Sequence, residues 1–286
     1  MLRPFGDWAA FGVRDPSVLV TPDGTFVEGP DGYVMFFNAR DRRPDEGGVT
    51  VVGRATSRDG EHWTPEPEPV LRDGVYAAQG SAVLLDSGEV VMPYSPDTLA
   101  GFRLSKAPDA TASFEPVGDI VLSPADIDCH RIGLPFIWRE ADGWHMVFEA
   151  IRRGGHFEVF HATSDDLETW SPDQVRYFAP PADAWDGYSQ ANPSVHRTDR
   201  GRVLLYNGAS DVATWDVSVA VERAGAWRTL DRPILARIDD EPWSRQRLEG
   251  ARLRPNAGPT PELFYFGTPG RDSYEGGTIG LATATG

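Results

Sequence analysis

A carboxylate set against apolar neighbours needs a partner or a purpose, and three in this chain raise that question. Asp15 opens the strand-like run in VRDPSVLV (13–20), directly after Arg14 and before Pro16. Glu149 ends the apolar run MVFE (146–149), and Glu249 lies in LEGARL (248–253). Carboxyl groups gathered at one place can divide general acid and general base work, one kept protonated and the other ionised. Arg14 favours the ionised form of Asp15, whereas the hydrophobic strand behind Glu149 favours its protonated form. Taken singly, each carboxylate could equally lock a turn against a neighbouring arginine. Three converging on one face is what makes a catalytic reading worth carrying.

Convergence depends on the elements that hold them, and these repeat. GYVMFFNA (32–39), GEVVMPYS (88–95), GWHMVFEA (143–150), GRVLLYNG (201–208) and PELFYFGT (261–268) share a leading turn residue and an apolar centre. They begin 56, 55, 58 and 60 residues apart, and five such periods account for the chain. A strand-like run precedes each octet: PSVLV, SAVLL, LPFIW, PSVHR and GARLR. In most copies Asp-Gly, Ser-Gly or Arg-Gly separates the two runs, which is hairpin chemistry. A third run follows, and a fourth begins near Trp63, Phe114, Trp170 and Trp227. ATSRDGEHW (55–63) and ATSDDLETW (162–170) agree at six of nine positions.

Four short antiparallel strands repeated five times predict an all-β protein, a single five-bladed β-propeller. The blades fall at about 12–70, 71–122, 123–180, 181–236 and 237–286, with residues 2–11 closing the last blade as its outer strand. In a propeller the start of each inner strand and the end of the next strand face one mouth of the central channel. That geometry selects Asp15, Gly80, Leu134 (or Gly133), Asn192 and Glu249 as one ring. It selects Asn38, Tyr94, Glu149, Asn207 and Gly267 as a second. Arg14, Arg40, Arg152, Arg252 and His130 are the basic candidates beside them.

Composition narrows the class. The net charge of −16 repels phosphate backbones and anionic lipid, which argues against nucleic-acid and membrane partners. No apolar run approaches the ~18–20 residues of a membrane span, and the start lacks the features of a secretory signal. Cys129 is the single cysteine, which excludes internal disulfides and fits a reducing, cytoplasmic location. No glycine-rich phosphate loop or nucleophile elbow is visible. DIDCH (126–130) offers Asp126, Asp128 and His130 at alternate positions, but acidic loops are commonly just solvated, and neither a metal nor a cofactor is expected.

RDPSVL opening the first copy, hairpins of the DGYVMFF type and the ATSDDLETW segment resemble the five-bladed propeller glycoside hydrolases. That superfamily holds arabinofuranosidases and xylosidases (family 43), invertase-like enzymes (family 32) and mannoside phosphorylases (family 130). The first copy is closest to family 43, where an Asp before the Pro of blade one is the general base. A second Asp in blade two tunes acidity there, and a Glu opening blade three is the general acid. Asp15 matches the first. Blade two has Gln79-Gly80 where Asp-Pro is expected, and blade three opens RIGLPFI without a Glu.

The resemblance implies a furanosidase-like glycosidase acting on a small glycoside or oligosaccharide. An inverting mechanism needs an acid and a base about 6.5–9.5 Å apart, with water between. Asp15 is the expected base and Glu149 the expected acid, with Glu249 competing for that role. Arg14, Asn38, Arg40, His130, Asn192, Asn207 and Arg252 are expected to bind the substrate, with Tyr94 or Trp185 as a stacking face. A carbohydrate-binding propeller that has lost catalysis, and a propeller enzyme performing phosphorolysis or elimination, are the alternatives.

Overall fold

The computed structural model describes residues 2–97, 101–152, 155–198, 201–211, 214–237, 243–254, 262–269, 272 and 274–283. Pro261, where the fifth octet begins, and residues 284–286 lie outside them. The described chain is all-β, with two short 3-10 turns at Pro44–Glu46 and Pro124–Ile127 as its helical pieces.

Strands pair as consecutive antiparallel meanders. The first sheet runs Gly12–Val18, Gly32–Arg40, Thr50–Ser57 and Thr64–Pro65, with Glu28–Gly29 paired to the second of these. The second is built on Val90–Ser95, Phe102–Ala107 and Glu115–Leu122, with Ala78–Gln79 and Val83–Leu84 inside. The third holds Arg131–Glu140, Gly143–Ile151, Phe157–Ser164 and Ser171–Pro172. A last sheet contains two meanders. One is Ser189–Thr198, Gly201–Ala209, Trp215–Arg223 and Ala226–Thr229; the other is Arg247–Leu253, Glu262–Thr268 and Thr278–Thr283. A single parallel pairing, Trp215 with Arg247, joins them.

The apolar residues of the octets fill the spaces between successive sheets. Phe36, Met92 and Tyr94 pack between the first and second. Phe102, Phe148 and Phe160 pack between the second and third, and Phe136, Val147 and Tyr206 between the third and fourth. Phe264, Phe266 and Ile279 pack back against Val13, Met35 and Phe37 of the first. Leu2 bridges antiparallel to Ile279, with N–H···O distances of 3.0 and 2.9 Å.

The inner strands start earlier than the apolar runs suggest: Gly12, Arg131, Ser189 and Arg247 rather than Pro16, Leu134, Pro193 and Gly250. Each continues through its Xaa-Pro or Gly-Ala pair by a bulge. Asp15 therefore lies inside a strand and not in a loop ahead of it.

Candidate active site

The bulge recurs at one place in four inner strands. Pairing shifts register between Arg14 and Ser17, Gly133 and Phe136, Ala191 and Ser194, and Glu249 and Arg252. The residue after each first member has positive φ: Asp15 at 52°, Leu134 at 51°, Asn192 at 50° and Gly250 at 63°. Proline follows three of them and donates no hydrogen bond, so the ladder loses nothing where it is interrupted. This register corrects two assignments. Asp15 corresponds to Gly250, and Glu249 corresponds to Arg14, Gly133 and Ala191. Its cross-strand partner is Phe266, so Phe266 takes the place expected for Gly267. The apolar LFYF run matches an octet almost equally well one residue out of step, which is why spacing alone misplaced it.

Asn38, Glu149 and Asn207 pair with Arg14, Gly133 and Ala191, and each reaches across to the next inner strand. Asn38 Nδ2 donates to Gln79 O (3.0 Å) and to Asp15 Oδ2 (2.8 Å), while its Oδ1 accepts from Gln79 N (2.9 Å). Asn207 repeats the pattern: Nδ2 donates to Leu248 O (2.6 Å) and Oδ1 accepts from Gly250 N (2.9 Å). Both amides are fully buried, Asn207 spent on backbone and Asn38 on backbone and the Asp15 carboxylate, so they staple neighbouring sheets together. Glu149 holds its neighbour by one oxygen, Oε2 accepting from Asn192 N at 3.0 Å.

Asp15 is ion-paired to Arg14 (Nε–Oδ2 2.5 Å), and both of these contacts fall on Oδ2. Oδ1 has a long 3.4 Å contact with Arg14 Nη2. The Arg14 guanidinium lies 5.0 Å from the Phe266 ring and 4.8 Å from that of Tyr274. Burial alone would lower its pKa, but Asp15, Tyr274 and Glu249 together hold it well above the ordinary value. The Glu149 carboxyl is raised above its ordinary value. Burial raises its pKa against the pull of Arg131, the Asn192 N–H and Arg14, and the charge of Asp15 adds to the rise. These mutual effects put the charges of Asp15, Arg14, Glu149 and Arg131 within electrostatic reach of one another.

Sequence reasoning missed several members. Burial raises the Tyr76 hydroxyl, with Arg14, Arg131, Asp15 and Arg40 acting on it, and Tyr274 is raised in the same surroundings. Both tyrosines fall outside the repeat positions. Arg131 did carry a signal: it lies three residues before the bulge residue, the offset that Arg247 has in the fifth copy. Arg247 pairs with Glu249 (Nη1–Oε1 3.2 Å), and Arg131 sits beside Glu149. Arg131 Nε is buried without a hydrogen-bond partner among the described residues.

Arg252 lies within electrostatic reach of Asp15. Buried, it donates to Ala251 O and across to Gly80 O (2.9 and 3.2 Å) and lies over the Phe136 ring. Burial brings its pKa down to about 10, with Asp15 resisting. Burial and Arg252 bring His196 down to about 3. Asn192 is buried with Oδ1 unpartnered among the described residues. Arg40 flanks the mouth: Nε donates to Thr50, Nη1 lies 3.8 Å from Asp272, and its guanidinium stacks on Tyr274.

Other expected members sit elsewhere. The Tyr94 hydroxyl donates to Asp73 (2.6 Å) while its ring fills the core between the first two sheets, so it offers no stacking face. Trp185 donates from Nε1 to Leu230 O and covers Gly208. His130 is exposed. Arg152 donates to Gln174 O and stacks on Phe160. In DIDCH, Asp126 caps a 3-10 turn by accepting from Ser123 N and Oγ, which gives its acidity a local use. Among the described residues the His/Cys/Asp/Glu groups spaced for a metal are Asp59–Glu61–His62 and Glu140–Asp142–His145, and neither includes a residue of the mouth.

No family model matches the chain. Over 214 residues it is 27% identical to the sucrose-6-phosphate hydrolase of Escherichia coli, covering 67% of this chain and 43% of that protein. The chain thus spans less than half the length of that curated relative. Among solved structures it is similar to a family 130 glycoside hydrolase that targets β-1,2 mannosidic linkages in Candida mannan. There the TM-score is 0.69 at 17% identity, over 97% of this chain and 85% of that one. The β-1,2-mannobiose phosphorylase of Listeria innocua gives 0.65 at 14%, over 93% and 90%. A thermostable family 43 glycoside hydrolase gives 0.69 at 15%, over 96% and 90%. The chain resembles, and has the fold of, the propeller-type glycoside hydrolase superfamily.

Proposed function

We propose that the chain is a five-bladed β-propeller enzyme that cleaves a small glycoside or oligosaccharide by inverting acid/base catalysis. Glu149 is the acid and Asp15 the base. The five repeats, the two meanders sharing the last sheet and the Leu2–Ile279 bridge support the blade count and its closure. The observation that carries the chemistry is the contrast between two carboxyls that influence one another. Glu149 is buried with its pKa raised, while Asp15 is ion-paired to Arg14. Glu149 therefore retains a proton to give to the leaving oxygen. Asp15 keeps Oδ1 toward a water while Arg14 and Asn38 fix Oδ2. Glu249 is bound to Arg247 and acts on Arg14, so it steadies the base instead of supplying the acid. The single cysteine supports a cytoplasmic setting and small substrates.

The test is a panel of nitrophenyl furanosides and pyranosides, with anomers followed by NMR. Glu149→Gln should lower kcat/KM by about 10²–10⁴-fold on nitrophenyl substrates and far less on dinitrophenyl ones, whose leaving groups need no proton. Asp15→Asn should slow both. Full turnover by both variants would sink the assignment. Phosphorolysis is the second reading, favoured by the unpartnered Nε of Arg131 beside Glu149. It predicts a sugar phosphate as product when phosphate is added.

A further inference from the structure

A cavity of about 400 Å³ opens between the third and fourth sheets, with His156, Phe157, Arg176, Tyr188, Gln190 and Ser210 in its wall. Both walls lead back to Glu149. Phe157 and Glu158 pair with Ile151 and Ala150, the residues that follow Glu149 on its strand. Gln190 lies two residues before Asn192, whose N–H holds Glu149 Oε2, a separation of about 7 Å along a strand. Phe157 is shared: it lines the cavity, and its ring carries the Arg131 guanidinium at 5.9 Å.

The lining suits a polyhydroxylated ring. Tyr188 and His156 meet edge to face at 4.2 Å and give the cavity an aromatic wall. His156 Nδ1 and Glu158 Oε2 are buried without hydrogen-bond partners among the described residues; Arg152 Nε stands 4.0 Å from Glu158 Oε2 and Arg176 Nη1 3.4 Å from Oε1. Hydroxyl groups, each donor and acceptor at once, would satisfy such a mixed set. A volume of this size lies within the usual range for small-ligand pockets.

We infer that this cavity is the subsite for the leaving-group sugar, so that the enzyme takes an oligosaccharide in preference to a simple glycoside. The inference rests on Glu149 as the acid: the oxygen it protonates belongs to the leaving group, which must then extend to Glu149's side of the mouth, away from Asp15.

Saturation-transfer NMR on Glu149→Gln, titrated with a panel of free disaccharides and their constituent monosaccharides, tests it. At least one disaccharide should bind more tightly than its non-reducing monosaccharide. Adding Tyr188→Ala or, more conservatively, His156→Gln should raise the disaccharide Kd tenfold or more and leave the monosaccharide Kd within twofold. The inference is overturned if no disaccharide gains over its monosaccharide, or if the variants move both ligands alike. If the disaccharide depends on Tyr188 while the wild type cleaves nothing, the subsite stands and the acid/base reading falls.

Discussion

Glu149 keeps one oxygen on the Asn192 N–H and otherwise sits in a buried place that disfavours its charge. A raised carboxyl pKa has a definite sign in stability. The contribution is full below the unfolded pKa, where the group is protonated in both states, and is lost as pH rises through the higher folded value. Wild type should thus lose stability across that window, while Glu149→Gln, which accepts the same N–H bond without ionising, should not. Urea denaturation at pH 4.5 and pH 8 should show the variant gaining on the wild type as pH rises. A constant difference at both pH values would mean that Glu149 is not held protonated by burial. Asn38 and Asn207 read as sugar-binding groups in the sequence because their position in the octet points to the mouth. Their use became visible only when the backbone of the next strand was in place to receive them. Position in a repeat is legible from sequence; what a side chain spends its hydrogen bonds on depends on a strand some 41 residues away.

The bulge is the element that turns this repeat into a site. It forces Asp15, Leu134 and Asn192 into a backbone region that side chains rarely adopt and that proline-flanked strands tolerate. Asp-Pro, Leu-Pro and Asn-Pro announced it in three copies, but Gly250-Ala251 did not, and there the sequence register failed by one residue. The segments that carried the resemblance have another use. In ATSRDGEHW, Ser57 and Asp59 accept from the backbone of the turn and Trp63 donates to Gly60 O. In ATSDDLETW, Ser164, Asp166 and Trp170 do the same. They are turn hardware remote from the mouth, so they reveal the fold and not the reaction. Gly250 is the sensitive point of the element. A Cβ there would meet Phe266 Cε1 at 2.8 Å and Asp15 Oδ1 at 3.3 Å, on a backbone with φ of 63°. Gly250→Ala should cost about 1–3 kcal/mol of stability. It should also lower turnover by displacing Asp15, as read by denaturation alongside kcat. Unchanged stability would place the bulge register elsewhere.

Across the molecule, the all-β character was legible because each strand pair is local and each turn is marked. The candidate site was only partly legible, since Arg131, Tyr76 and Tyr274 act on it from strand starts and connecting segments that no octet marks. The joining of the two ends shows the same split. Residues 2–11 were expected to complete the last sheet, and Leu2 does bridge to Ile279, while Phe11 O accepts from Gly276 N and Val13 N donates to Gly277 O. Leu2 and Ala9 are buried there, and Trp8 stacks on Phe37 with Phe5 edge-on beside it. Removing residues 2–9 would strip these contacts and bare the edge of Thr278–Thr283 to other chains. From the apolar area involved, the loss is about 3–5 kcal/mol, or a Tm fall of roughly 5–15 °C for a chain of this size. Adding the peptide 1–11 in excess should restore part of the Tm, because the gap it fills is a strand-shaped site. A truncated protein that melts with the full chain would mean the N-terminal segment rests on the last sheet without fastening it.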